Sequence, residues 1–296
     1  MKWEDRDESR NVEDRRSQGG FSGGRRGMPS MGTIMFLWPV IQRLLKTKFG
    51  WAIIAVGAVA YFSGYNPLGS FMGGAGSSTP VNKTADEKQK RFISTILGDT
   101  EKVWGKIFRE HGATYKEPTM VLYRGSTTSG CGHASAQMGP FYCPNDQKVY
   151  LDLGFFDELK RKHKAGGDFA EAYVLAHEIG HHIQNMEGTL SKVQQMKQQA
   201  RGQAGANKLQ VRVELQADCY AGVWAHYEEK LFGSLEKGDI EEALNAASAI
   251  GDDTLQKQAQ GYVVPDAFTH GSSAQRVEWF KKGIRSGDIA TCNTGI

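Results

Sequence analysis

The chain has 296 residues, is 40% hydrophobic and 23% charged, and carries a formal net charge of only +3. So small a charge, with no extended basic face after residue 85, gives no case for nucleic acid as a partner. No internal repeat interrupts the sequence, and the stretch 86–296 is long enough to bury one sizeable core.

Residues 1–30 are charged and Gly-rich, with Gly19, Gly20, Gly23, Gly24 and Gly27, and read as a disordered tail with too few apolar residues for a core. Residues 15–85 contain no acidic side chain, and within them Phe49 to Gly64 is apolar and uncharged. Those 16 residues, extended by Tyr65 to Leu68, are at the short end for a bilayer span. The polar flanks disfavour a core helix, and the distance from the N-terminus disfavours a cleaved signal peptide. Residues 31–66 therefore read as a juxtamembrane helix, broken by Pro39, Gln42 and Arg43, followed by one transmembrane helix that meets the lipid bilayer through residues 49–66. Arg25, Arg26, Arg43, Lys46 and Lys48 precede the apolar run, and no Lys or Arg follows until Lys83. By the positive-inside rule the N-terminus is expected in the cytoplasm and the following domain outside it. Residues 67–85, rich in Gly, Ser and Pro, read as a flexible linker.

The remaining residues 86–296 read as α+β and helix-dominated, with a small β-sheet. Glu87 to His111 is an amphipathic helix, Thr119–Tyr123 and Lys148–Asp152 are short strands, and Phe155 to His163 begins a second helix. Two further helices carry the chemistry, and two or three more occupy residues 237–286.

The first chemical helix contains His177-Glu178-Ile179-Gly180-His181, an HExxH motif. Histidines four apart share one helix face and can bind one Zn²⁺, with Glu178 as the base for a metal-activated water. Phe169, Tyr173, Ala176 and Gly180 form an apolar stripe, so the motif lies on a largely buried helix whose histidines need polar partners. A catalytic zinc needs a third protein ligand. The metzincin pattern is excluded, because Gln184 and Glu187 stand where its glycine and third histidine belong. On the later segment Leu209 to Trp224, Glu214 and Asp218 stand one turn apart among apolar and small residues, where acids are costly unless paired or bound to metal. Glu214 is assigned as the third ligand and Asp218 as the acceptor that orients a ligand imidazole. His182 points about 100° away from His181 and reads as a supporting or packing residue. Cys131, Cys143, Cys219 and Cys292 all fall in this domain. An even count in an exported domain suggests two disulfides; Cys131 with Cys143 is the local pair, which leaves Cys219 with Cys292, although three connectivities are formally open.

HExxH followed by Glu-x-x-Ala-Asp resembles the gluzincin arrangement of the membrane-associated HtpX-like and CAAX-prenyl peptidases, and Thr269-His270-Gly271 with Arg276 matches their Thr-His-Pro…Arg segment except that Gly271 replaces Pro. More closely, the N-terminal MKWEDRDES, the Cys131 to Pro144 segment, HEIGHHIQ and ELQADCYAGVWA together resemble the bacterial "putative neutral zinc metallopeptidase" family over nearly the whole chain. With the basic flank and the cysteines, which put the catalytic domain on the periplasmic or extracellular side of the bacterial inner membrane, that resemblance implies a single-pass membrane protein with a zincin-like peptidase domain holding one Zn²⁺; it implies little about the substrate beyond a protein or peptide. The resemblance also implies His270 as the oxyanion donor and Arg276 as the residue that holds its loop; Tyr220 and His226, on the same helix as Glu214, are weaker candidates. Substrates of such enzymes add a strand to a sheet edge, for which the stretch Gly139 to Asp152 is suited. The rival from another class is a zinc-stabilised, membrane-anchored binding or chaperone module without turnover, against which the intact Glu178 argues.

Overall fold

A computed structural model describes residues 1–17, 83–135 and 138–296. The expected membrane segment and most of the expected linker lie outside these residues. No helix among the described residues is long and apolar enough to cross a membrane.

The fold is helix-dominated α+β. Strand β1 (Val12–Asp14) is followed by α1 (Lys83–Glu110), then β2 (Thr119–Tyr123), the hairpin β3 (Ser126–Ser129) and β4 (Gly132–Ser135), β5 (Phe141–Cys143) and β6 (Lys148–Asp152). Among the described residues seven α-helices follow: α2 (Leu153–His163), α3 (Asp168–Met186), α4 (Thr189–Gln198), α5 (Gly202–Phe232), α6 (Asp239–Ala249), α7 (Asp252–Gln260) and α8 (Ser273–Ser286). Both expected strands are present, but they belong to a four-stranded sheet of order β1-β2-β6-β5. Strands β1, β2 and β6 run parallel, and β5 returns antiparallel to β6 at the edge. Val121, Leu122, Val149 and Leu151 are fully buried, as expected where helices cover a parallel sheet.

The expectation of a disordered tail fails for residues 1–17. Trp3 is buried and meets Phe92 of α1 edge-on, ring centroids 5.3 Å apart. Val12 pairs with Met120 in the sheet register, and Arg6 lies 3.0 Å from the buried Asp99 and also contacts Glu228 of α5. A Cβ on Gly98 would lie 3.1 Å from the Asp7 carbonyl, so the close passage of the arm over α1 depends on that glycine. Composition misleads here because the arm's charges are spent in pairs with the folded domain rather than on water.

One core joins α1, α3, α5 and α8, with Trp104, Trp224, Phe169, Tyr173 and Phe280 at its centre. Small residues set how closely the helices approach. A Cβ on Gly180 of α3 would lie 3.0 Å from the Ala217 backbone of α5, and one on Gly283 of α8 would lie 2.0 Å from the Cys219 carbonyl. These contacts carry α5 between α3 and α8 at backbone range. Disulfides Cys131–Cys143 and Cys219–Cys292 are both formed; the first ties the β3–β4 hairpin to β5 and the second ties α5 to the C-terminal segment.

Candidate active site

α3 begins with Asp168 and Glu171 in its first turn, where carboxylates complement the helix dipole, and runs through small and apolar residues to the HExxH turn. His177 and His181 stand one turn apart with ring centroids 4.8 Å apart, nearly perpendicular. The close approach at Gly180 brings Glu214 of α5 opposite both rings. Glu214 Oε2 is 3.2 Å from His177 Nε2 and 3.3 Å from His181 Nε2. Four ligands at bond lengths of about 2.0–2.2 Å in a tetrahedron lie roughly 3.3–3.5 Å from one another. Glu214 Oε2 therefore already lies at about the spacing that one Zn²⁺ requires from both imidazole nitrogens, all three donor atoms lie within 4.8 Å of one another, and they form one of two His/Cys/Asp/Glu clusters of metal-binding spacing among the described residues.

Each ligand is held from behind. His177 Nδ1 is 2.8 Å from Asp218 Oδ1, which leaves Nε2 toward Glu214. Asp218 also accepts the Tyr173 hydroxyl at 2.5 Å and a bidentate pair from Arg276, Nε and Nη2 each at 2.9 Å. Burial alone would raise the Asp218 pKa, but Arg276 and His177 outweigh it and lower it to about 2. Burial opposes charge on His177, yet Asp218 and Glu214 raise its pKa to about 9; a divalent cation would replace the protons those carboxylates favour. His181 Nδ1 lies 2.8 Å from Gln184 Oε1, and Gln184 donates in turn to the Val213 carbonyl at 2.7 Å. Gln210, one turn before Glu214 on α5, donates to Glu214 Oε1 at 2.6 Å and is itself contacted by Lys197 of α4.

Glu178 lines the same cleft, about 1170 Å³ in volume. His270 lines the cleft from the α7–α8 connection with its side chain 52% exposed. Its Nδ1 meets Asp252 Oδ1 at 3.2 Å, so Nε2 is the nitrogen able to act in the cleft. Asp252 also accepts the backbone N–H groups of Thr269, His270 and Gly271, at 2.6, 2.6 and 3.0 Å, which fixes the loop. Gly271 has a φ of +97°, a conformation that proline cannot adopt, and this accounts for the departure from Thr-His-Pro.

The structure places Arg276 behind His177, through Asp218, rather than on the His270 loop. Tyr220 and His226 do not serve the cleft: the Tyr220 hydroxyl donates to Glu187 at 2.8 Å, and His226 Nδ1 meets the Ile284 carbonyl at 3.0 Å. His182 is fully buried and bridges the Tyr142 hydroxyl of β5 and the Lys116 carbonyl, at 3.0 and 2.6 Å. It thereby fastens the edge strand to α3, and β5, within the expected Gly139 to Asp152 stretch, places Phe141 and Tyr142 in the cleft wall. Tyr173, Gln184, Gln210 and Asp252 escape sequence reasoning as supports of the site. Only their spacing of one turn or less from a ligand, for the first three, offers a signal.

The site thus gathers two imidazoles and one carboxylate from facing helices at a spacing that could hold one metal ion, open to a large cleft. The chain belongs to the family described as Putative neutral zinc metallopeptidase, whose model matches residues 1–295. It is 50% identical over 297 residues to an Escherichia coli K12 protein described as "Uncharacterized protein YpfJ", covering 99% of this chain and 98% of that one. It is also 47% identical over 190 residues to the Mycobacterium bovis "Uncharacterized protein Mb2605", covering 61% and 63% of the two chains. No solved structure matches it.

Proposed function

We propose that the protein is a membrane-anchored, zinc-dependent metalloendopeptidase. The observation that carries this reading is the convergence of the His177, His181 and Glu214 donor atoms within 4.8 Å of one another, beside Glu178 and open to one cleft. Zn²⁺ held there would lower the pKa of a bound water toward about 7 and polarise a substrate carbonyl. Glu178 takes a proton from the attacking water and delivers it to the leaving amine. As an imidazolium, the form that Asp252 favours, His270 donates from Nδ1 to Asp252 and from Nε2 to the developing oxyanion. Asp218 keeps His177 in the tautomer that presents Nε2, and Arg276 and Tyr173 hold Asp218. The edge strand β5 offers backbone groups to an extended peptide, whose side chains meet Phe141 and Tyr142.

The two disulfides support an oxidising compartment, and residues 49–66 supply the apolar run for the bilayer. The reading therefore places the catalytic domain on the periplasmic or extracellular side of the bacterial inner membrane.

The test is Glu178→Gln. It is expected to keep one equivalent of zinc by metal analysis while hydrolysis of casein or a peptide library falls to background. Peptide hydrolysis that persists in this variant would remove Glu178 from the chemistry, and a wild type that binds peptides without cleaving them would favour the binding module.

A further inference from the structure

The membrane seat of residues 49–66 belongs to the proposed function, and the present inference rests on that part of it. The chain before and after the acid-free stretch 15–85 forms one folded unit. On the N-terminal side, Trp3 packs on Phe92 and β1 adds a parallel strand to β2. Backbone hydrogen bonds run from Ser9 to the Ser94 carbonyl at 2.9 Å, from Met120 to the Asn11 carbonyl at 2.8 Å and from Arg15 to the Leu122 carbonyl at 2.8 Å. Arg6 closes on Asp99 and Glu228, both of which are fully buried. If the arm were removed, two buried carboxylates would lose their guanidinium and the edge of β2 would lose its partner, so the arm is a structural part of the domain.

A chain that crosses a bilayer once has its two ends on opposite faces. Residues 1–17 and 83–296 cannot be on opposite faces and also share a sheet and a core. We infer that both lie on the same face of the membrane, so that the chain enters and leaves the bilayer by one face between residues 17 and 83, with an even number of crossings. A cytoplasmic N-terminus joined to an outward domain by one crossing is incompatible with this packing. The two disulfides put that shared face on the outward, oxidising side.

Cysteine accessibility in the full-length protein in its native membrane tests this. All four native cysteines are in disulfides, so the wild type takes no thiol label. Asp7→Cys, at a side chain 96% exposed, reports on the arm, and Lys257→Cys, on the exposed face of α7, reports on the catalytic domain. A membrane-impermeant maleimide applied to spheroplasts is expected to label both variants to the same extent as after lysis, and carbonate-washed membranes are expected to retain the protein. Labelling of one position with protection of the other until lysis would overturn the inference. Protection of both until lysis would keep the shared face and overturn only the outward placement. Release by carbonate would remove the bilayer seat, and this inference with it.

Discussion

Two carboxylate–imidazole pairs each contribute their imidazole to the lining of one cleft, and they differ in burial and in what holds their carboxylates. Asp218–His177 is buried between α3, α5 and α8, and its carboxylate is saturated by Tyr173 and Arg276. Asp252–His270 sits on a connection, its imidazole half exposed and its carboxylate wrapped by three backbone N–H groups. A pair that cannot move suits a group that must hold a ligand at one point. A pair anchored through its carboxylate but free at the ring suits a donor that meets charge only as it develops.

The largest effect belongs to the ligands of the buried side. Glu214→Ala should abolish zinc binding and turnover as completely as His177→Ala, measured by metal analysis and peptide hydrolysis; full zinc retention in the Glu214 variant would break the ligand assignment. The rim comes next. His270→Ala should lower kcat by about 10²- to 10³-fold with a smaller effect on KM, while zinc content and Tm stay unchanged. Unchanged kcat per folded molecule would remove His270 from the chemistry.

Asp218→Ala should weaken zinc affinity or activity by about 10- to 100-fold. Unlike the rim variant it should also destabilise the fold by about 3–5 kcal/mol in denaturant titration, because Arg276 is left buried without its partner. Loss of zinc with no loss of stability would erase the contrast between the two pairs.

The smallest effects come from Asp252→Asn, which should lower kcat by roughly 10-fold. The Asp252 carboxylate, opposed by burial, holds the His270 pKa above its ordinary value. Its stabilisation is therefore complete below about pH 6.5 and is lost as pH rises through the raised value. The variant should move the alkaline limb of the kcat profile to lower pH. It should also flatten the decline of stability above neutrality by under about 1 kcal/mol, since the ring is half exposed. An unmoved limb would assign that limb to another group.

Much of the buried side is legible from residue spacing alone. The HExxH spacing fixes two imidazoles on one face, and a Glu and an Asp one turn apart on an apolar helix must find partners whatever the fold. The rim is not legible in this way, because Asp252 lies in an ordinary Asp-Asp helix start and reaches His270, 18 residues later, only through the path of the loop. Arg276 is visible as a motif residue, but its partner follows from the α5–α8 contact at Gly283 and Cys219. The α4 helix, polar and Gln-rich, carries little periodic signal, yet its Val193 and Lys197 wall the cleft.

The sequence by itself determined which two imidazoles and which carboxylate share the facing helices, and an α+β helix-dominated domain, because these rest on helical periodicity and on the cost of burying charge, both of which act within a turn or two of chain. Only the tertiary structure decided that residues 1–17 complete the domain, that Asp252 serves His270 and Arg276 serves His177, and that His182 fastens the edge strand. Those relations join residues 18 positions apart, for Asp252 and His270, and 222 apart, for Arg6 and Glu228: the backbone approaches at Gly98, Gly180 and Gly283 bring the arm to α1 and α5 to α3 and α8, and the path of the 269–271 loop brings His270 to Asp252, none of which leaves a local pattern to read.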